Sequence, residues 1–178
     1  HDVSTVPATC GGRLHVLSRE ALNIALAAAA RAGAVRLGEK IVDELWSQFD
    51  CLEAPDLYTY SALLNLYAVA GDTGKLFDVF DRIVTGEVHD VPLSTDLCNV
   101  AIKGMLQENT EQALDVLDMM FQRDIGRDHI TYMTLLKHAA RKRKEDVFFE
   151  TVDKMERDCV LPSFSDLVEL RQMLGTRS

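Results

Sequence analysis

Apolar residues recur along this chain at i, i+3 and i+4 rather than in alternation. Leu63, Leu66, Tyr67 and Ala70 form one such stripe, Leu114, Leu117 and Met120 a second, and Leu135, Leu136 and Ala139 a third. That spacing puts apolar side chains on one face of an α-helix, whereas a half-buried strand alternates every second residue. No run bounded by turn residues sustains such alternation. The pattern predicts an all-α chain of short amphipathic helices.

The stripes themselves repeat. Residues 94–128 and 129–163 align without a gap, each over 35 residues. Each has an apolar run (97–106, 132–140), a charged turn (108–110, 143–145), a second amphipathic run ending in Met120 or Met155, and a short loop. Residues 19–56 and 57–93 fit the same plan with small insertions. Gly33 and Gly71 fall where a first helix needs a left-handed residue to turn into the second. Gly38 and Ala113 share a small-residue place on the second helix. Leu76 and Phe148 break that rule, which predicts looser packing in those two units.

One helix pair cannot bury its own apolar face, so the units must stack. The prediction is an α-solenoid of about four helix-turn-helix units of ~35 residues. They lie at 18–56, 57–93, 94–128 and 129–163, followed by a capping helix and tail at 164–178. Trp46 is expected to cover an inter-unit seam. Residues 1–17, with Pro7 and Gly11–Gly12, predict a linker or the tail of a preceding unit, and the start at His1 predicts a fragment or processed form.

Composition removes several classes of function. The 178 residues are 47% hydrophobic and 26% charged, which suits a folded array that needs neither disulfides nor metals. No apolar run reaches the ~18–20 residues of a bilayer-spanning helix, so no membrane partner is expected. Cys10, Cys51, Cys98 and Cys159 are scattered, with no CxxC and no paired histidines at zinc spacing, and read as reduced thiols. An HxxxH face, a GxSxG elbow and a phosphate-cradling glycine loop are all missing. Carboxylates such as Asp78 and Asp81 sit on solvated helix faces. The expectation is a non-catalytic chain without metal or cofactor.

Charge first argues against nucleic acid and then less so. The net −9 opposes phosphate binding on average. The four first helices, however, carry +1, 0, 0 and +4, which leaves the acidity on the rest of the chain. The run Arg141-Lys142-Arg143-Lys144 follows Lys137 and His138 on one helix. It suits either a phosphate-binding patch or a helix end whose cations complement the macrodipole.

The strings PDLYTYSALLNLYAVAG, DLCNVAIKGMLQENTEQALDVLDMM and DHITYMTLLKHAARKRKEDVFFETVDKMERDCVLPS resemble the pentatricopeptide repeat family. Thr59-Tyr60 and Thr131-Tyr132 at the helix entries and the acidic-Met endings carry the likeness. The resemblance implies a right-handed superhelix whose first helices line a concave face holding single-stranded RNA. Each unit would read one base with a polar residue early in its first helix and another at the unit's end.

On that resemblance the pairs are Asn23 with Asp56, Ser61 with Leu93, Cys98 with Asp128, and Met133 with Ser163. The first suits a pyrimidine, preferably uracil, whereas Met133 has no donor for a base edge. Glu20, Tyr58, Thr95 and Ile130 take the base-sandwiching places, where Tyr58 would stack. Near the first-helix ends, where phosphate is met, stand Arg31, Val69, Leu106 and Arg141, with Lys137 and Lys142 adding charge.

The implied role is an RNA-binding or ribonucleoprotein component in a mitochondrion or plastid. Its implied partners are single-stranded RNA and protein subunits of an RNA-processing or ribosomal complex. The alternatives are a protein-interaction scaffold and the repeat module of a larger RNA-processing enzyme.

Overall fold

The computed structural model describes residues 18–47, 55–88 and 91–175, without the side chains of 45–47. The segment 1–17, the seam role of Trp46, Cys10, Cys51 and the tail at 176–178 lie outside the described residues. Among the described residues all regular structure is helical. The first helices are α1 (Arg19–Ala32), α3 (Leu57–Ala70), α5 (Thr95–Met105) and α7 (His129–Lys142). Each is followed by a second helix: α2 (Val35–Ser47), α4 (Thr73–Val84), α6 (Thr110–Gln122) and α8 (Glu145–Arg157). Helix α9 (Phe164–Gly175) closes the described chain.

Local chemistry sets where these helices begin. Ser18, Asp56, Ser94 and Asp128 each accept a backbone N–H three residues on, which satisfies a donor that the first turn leaves open. At Asp56 and Asp128 the cap is reciprocal, because Thr59 and Thr131 accept the cap residue's own N–H. Ser163 plays the same part for α9 through the Asp166 N–H at 3.2 Å.

The first helices form one continuous layer, α1 on α3, α3 on α5, α5 on α7 and α7 on α9. Each second helix packs back on its own first helix, and α2 and α4 also reach the next one. Leu26, Leu64, Leu97, Ile102, Leu135 and Leu136 are buried between these layers. The all-α solenoid expected from the apolar period is the fold observed.

The gapless alignment of the third and fourth units does not survive in its first half. From first-helix cap to second-helix cap the chain takes 16 residues in Asp56–Asp72 and Asp128–Lys144 but 15 in Ser94–Asn109. The other junctions exit through a left-handed residue, Gly33, Gly71 or Arg143, while α5 leaves through right-handed Leu106. The third unit lacks that one residue. Its second helix stays in register with the fourth unit's, and its first helix is shifted by one.

Packing at Leu76 is also not what the sequence predicts. Leu76 is fully buried, because the next unit offers it a glycine: a Cβ on Gly104 would stand 2.2 Å from Leu76 Cδ1. At the preceding interface the sizes are exchanged, and a Cβ on Gly38 would meet Leu66 Cδ1 at 2.5 Å. A large residue on one side is matched by none on the other. Phe148 stays half-buried at the last interface.

Helix α9 takes the place of a fifth first helix rather than a polar cap. Counting from the cap, its fourth and eleventh residues, Leu167 and Leu174, are 51% and 57% exposed, whereas their counterparts in α1, α3, α5 and α7 are all buried. Its hold combines buried Leu170 in the common core with a polar contact to α7. Asp166 is buried and accepts from the Ser163 hydroxyl and from His129, with Lys137 3.7 Å away.

The Ser163 hydroxyl, His129 and the Ser163 N–H bring the Asp166 carboxyl down to about 2. A depressed carboxyl stabilises the fold fully above the ordinary aspartate value of 3.8 and loses that contribution as the pH falls to about 2. Amide exchange in α9, corrected for intrinsic rates, is expected to accelerate across that window. Asp166→Asn should exchange fast already at pH 5 and show no such step; an unchanged profile in the variant would contradict the assignment.

Candidate nucleic-acid interface

A groove of about 750 Å³ runs along the first helices, lined among others by Asn23, Arg31, Asp56, Tyr58, Ser61 and Lys103. Counted from each cap, its lining recurs at the second, fifth, ninth and thirteenth positions of α1 and α3, and α5 adds its ninth, Lys103. The corresponding places on all four first helices, of which Met133 is buried, are these. The second residues are Glu20, Tyr58, Asp96 and Ile130, and the fifth are Asn23, Ser61, Asn99 and Met133. The ninth are Ala27, Asn65, Lys103 and Lys137, and the thirteenth are Arg31, Val69, Gln107 and Arg141. Spacings of three and four residues keep such positions on one helix face.

Asn23 and Asp56 meet as the sequence predicts. The Asn23 Nδ2 donates to Asp56 Oδ1 at 3.1 Å, and the Thr59 hydroxyl donates to Asn23 Oδ1 at 2.7 Å. Asp56 Oδ1 also accepts the Thr59 N–H at 2.9 Å, while Arg19 Nε lies 3.4 Å from Asp56 Oδ2. Burial alone would raise the Asp56 carboxyl, but the Thr59 bonds, Arg19 and the Asn23 amide together hold it below the usual aspartate range. It stays an anion at the groove's edge.

The third unit repeats this constellation with a residue the sequence reading missed. Asn99 Nδ2 donates to Asp128 Oδ1 at 3.1 Å, and the Thr131 hydroxyl donates to Asn99 Oδ1 at 2.6 Å. Asp128 is likewise held low, the Thr131 and Asn99 bonds outweighing its burial. Cys98 is therefore not Asp128's partner. It is fully buried in the core, where desolvation pushes its thiol up to about 12.

The one-residue shift also moves the sandwiching place from Thr95 to Asp96 and the thirteenth from Leu106 to Gln107, which is bonded to the Ala68 carbonyl. In the second unit the residue closing the pair is the cap Ser94, not Leu93. Counting five residues from a serine or aspartate cap is the signal that finds Asn99.

The other expected contacts divide. Tyr58 and Ile130 are 74% and 58% exposed and available to stack or wedge. Arg31 and Arg141 are exposed at equivalent positions, whereas Lys142 lies one residue, about 100°, further round the helix. Lys137 departs from expectation: its ammonium is 2.7 Å from Glu169 and 3.7 Å from Asp166 of α9, so its charge is largely compensated. Lys103, exposed at the same position one unit earlier, makes no ion pair among the described residues. It is a cation in the central groove that the sequence reading passed over. Among the described residues, no group of three or more His, Cys, Asp or Glu could hold a metal, and no helix is long and apolar enough to cross a membrane.

Comparison with known proteins agrees with this geometry. The model of the pentatricopeptide repeat domain matches residues 54–88 and 115–166. No curated protein matches the sequence. Among solved structures, the pentatricopeptide repeat protein PPR10 in complex with an 18-nucleotide psaJ RNA element superposes with a TM-score of 0.76 at 18% identity, over 90% of this chain. The chain spans only 23% of the length of that PPR10 chain. The PPR domain of Arabidopsis thaliana protein-only RNase P 1, in complex with tRNA, superposes with a TM-score of 0.67 at 20% identity, covering 86% of this chain and 79% of that one. With its capped helix pairs stacked in a single layered array and the repeat model matching within it, the chain carries pentatricopeptide repeats at 54–88 and 115–166 and has the fold of pentatricopeptide repeat proteins.

Proposed function

We propose that this chain binds single-stranded RNA along its first-helix groove and reads uracil at its first and third units. The observation that carries the reading is the duplicated Asn–Asp constellation, Asn23 with Asp56 and Asn99 with Asp128. Each offers an amide N–H beside a carboxylate oxygen. That donor–acceptor pair complements a uracil carbonyl and the adjoining N3–H. With one base per unit, the two uracils are separated by a single nucleotide facing Ser61 and Ser94.

Tyr58 stacks on a neighbouring base, and Arg31, Lys103 and Arg141 meet phosphates. Matched structures crystallised with psaJ RNA and with tRNA support the reading. One of them is the repeat domain of a protein-only RNase P, so such an array also fits within a larger RNA-processing enzyme. A mitochondrial or plastid setting accompanies the proposal on family resemblance alone.

Anisotropy titrations with labelled single-stranded RNA, alternating uracil with adenine, test it against the same oligomer carrying cytosine for uracil. The uracil oligomer should bind tighter. Lys103→Gln and Arg141→Gln should each weaken both oligomers alike and reduce the slope of log K against log salt by about 0.7. No binding at low salt, or slopes unmoved by both substitutions, would sink the reading.

A further inference from the structure

A primary amide presents either a donor or an acceptor to a ligand, depending on which way it is turned. At Asn23 and Asn99 that choice is made from beneath. The carboxylates of Asp56 and Asp128 can only accept, so each draws the amide nitrogen towards itself, at 3.1 Å in both units. The amide oxygen is thereby turned to the opposite side, where it meets the hydroxyl of Thr59 or Thr131 at 2.7 and 2.6 Å.

Both threonines are completely buried. Each hydroxyl already accepts the N–H of its cap aspartate at 3.2 Å. Its single proton therefore goes to the nearer acceptor, the asparagine oxygen, rather than to an aspartate oxygen 3.0 or 2.9 Å away that already takes two N–H donors. The second amide hydrogen has no acceptor among the described residues, and Asn23 lines the groove.

The chain supplies its own internal comparison. Across the four unit boundaries, the fifth residue of one first helix and the third residue of the next stand at matching positions, and in two of them they are hydrogen-bonded. The pairs are Asn23 with Thr59, Ser61 with Leu97, Asn99 with Thr131, and Met133 with Asp166. Threonine stands at this buried place only where asparagine faces it. Leu97 is just as buried, so burial alone does not call for a hydroxyl.

We infer that Thr59 and Thr131 are positioning residues that lock the Asn23 and Asn99 amides with the donor outward and so set the base preference of these two units. They touch no base themselves. The inference rests on the RNA reading proposed above and deepens it: a locked amide donates squarely to a carbonyl-bearing edge and refuses the amino group of cytosine, whereas an amide held by the carboxylate alone swings more widely and presents its donor less squarely.

Thr131→Val keeps the shape and removes the hydroxyl, and Thr131→Ser keeps the hydroxyl. With uracil opposite the third unit, the wild type should prefer it to cytosine by about tenfold or more, the scale of a well-placed pair of base contacts. Thr131→Val should narrow that to about threefold or less, and Thr131→Ser should restore it. A second readout needs no RNA. In the ¹⁵N–¹H spectrum of the free protein, the Asn99 side-chain pair, one hydrogen held by Asp128, should shift and move closer together in Thr131→Val while the Asn23 pair stays in place.

Unchanged preference together with unchanged Asn99 amide signals in Thr131→Val overturns the inference. So does a serine variant that behaves like valine. A wild type without uracil preference would instead overturn the base reading and any specificity role. The amide signals would then still decide the orienting role, surviving if they move in Thr131→Val and failing if they do not.

Discussion

Asn99→Ala is expected to weaken binding of an RNA with uracil opposite the third unit by about 5- to 150-fold, the range set by ~1–3 kcal/mol for a well-placed pair of base contacts. Cys98→Ala should leave that affinity in place. The two residues are neighbours in sequence, but Asn99 is bonded to Asp128 and Thr131 at the place that Asn23 holds in the groove lining, whereas Cys98 is closed inside the core. Alanine at 99 removes the outward donor and strips Asp128 of one of the donors that hold it.

Asn23→Ala should have a similar effect one unit-pair earlier. Because the two constellations share no side chain, the double variant should lose close to the product of the two factors. Titration against oligomers bearing uracil opposite one unit at a time separates the sites. If Cys98→Ala abolished the preference and Asn99→Ala spared it, the register that turns Asn99 into the groove would be wrong.

The largest expected effect on stability lies at the second interface. Leu76→Ala should cost about 2–5 kcal/mol, because the side chain is fully buried and the surrounding helices close only partly over the hole. Gly104→Ala should cost about 1–3 kcal/mol by overpacking. Its Cβ would meet Leu76 Cδ1 at 2.2 Å and Ala68 Cβ at 3.2 Å, so the fully buried leucine would have to shift. A small gain in helix propensity offsets only part of this.

The two changes should not add. In Leu76→Ala/Gly104→Ala the new methyl enters the vacated space, so the pair should be less damaging than the sum by about 1 kcal/mol or more. Urea midpoints of the four proteins, read at constant m value, give the coupling directly. Strict additivity would show that the two residues do not share one space.

Which features were legible in the sequence follows from where their causes lie. The helices and their stacking were legible because the period of apolar residues is local, and an unburied stripe forces a neighbour. Asn23 with Asp56 was legible because the cap and its fifth residue stand at standard spacing in that unit. Asn99 was hidden by a single missing residue at the exit of α5, which let the second helices align correctly while the first slid by one.

Other features depended on how helices from different units meet. Lys137 looked like a free cation until α9 brought Glu169 to 2.7 Å. Lys103 was passed over because cations were sought near the helix end, four residues further on. Leu76 looked oversized because its complement, Gly104, lies on the next unit's helix.

The fixed interval from cap to asparagine makes each cap a punctuation mark. Successive first-helix caps, Ser18, Asp56, Ser94, Asp128 and Ser163, lie 38, 38, 34 and 35 residues apart, yet the fifth residue after each keeps its place. Length changes ahead of a cap are therefore silent for the groove. One residue inserted between Ser94 and Asn99 would instead swing that amide about 100° around the helix axis and away from Asp128 and Thr131. Insertions and deletions in such an array are harmless or ruinous according to which side of a serine or aspartate they fall.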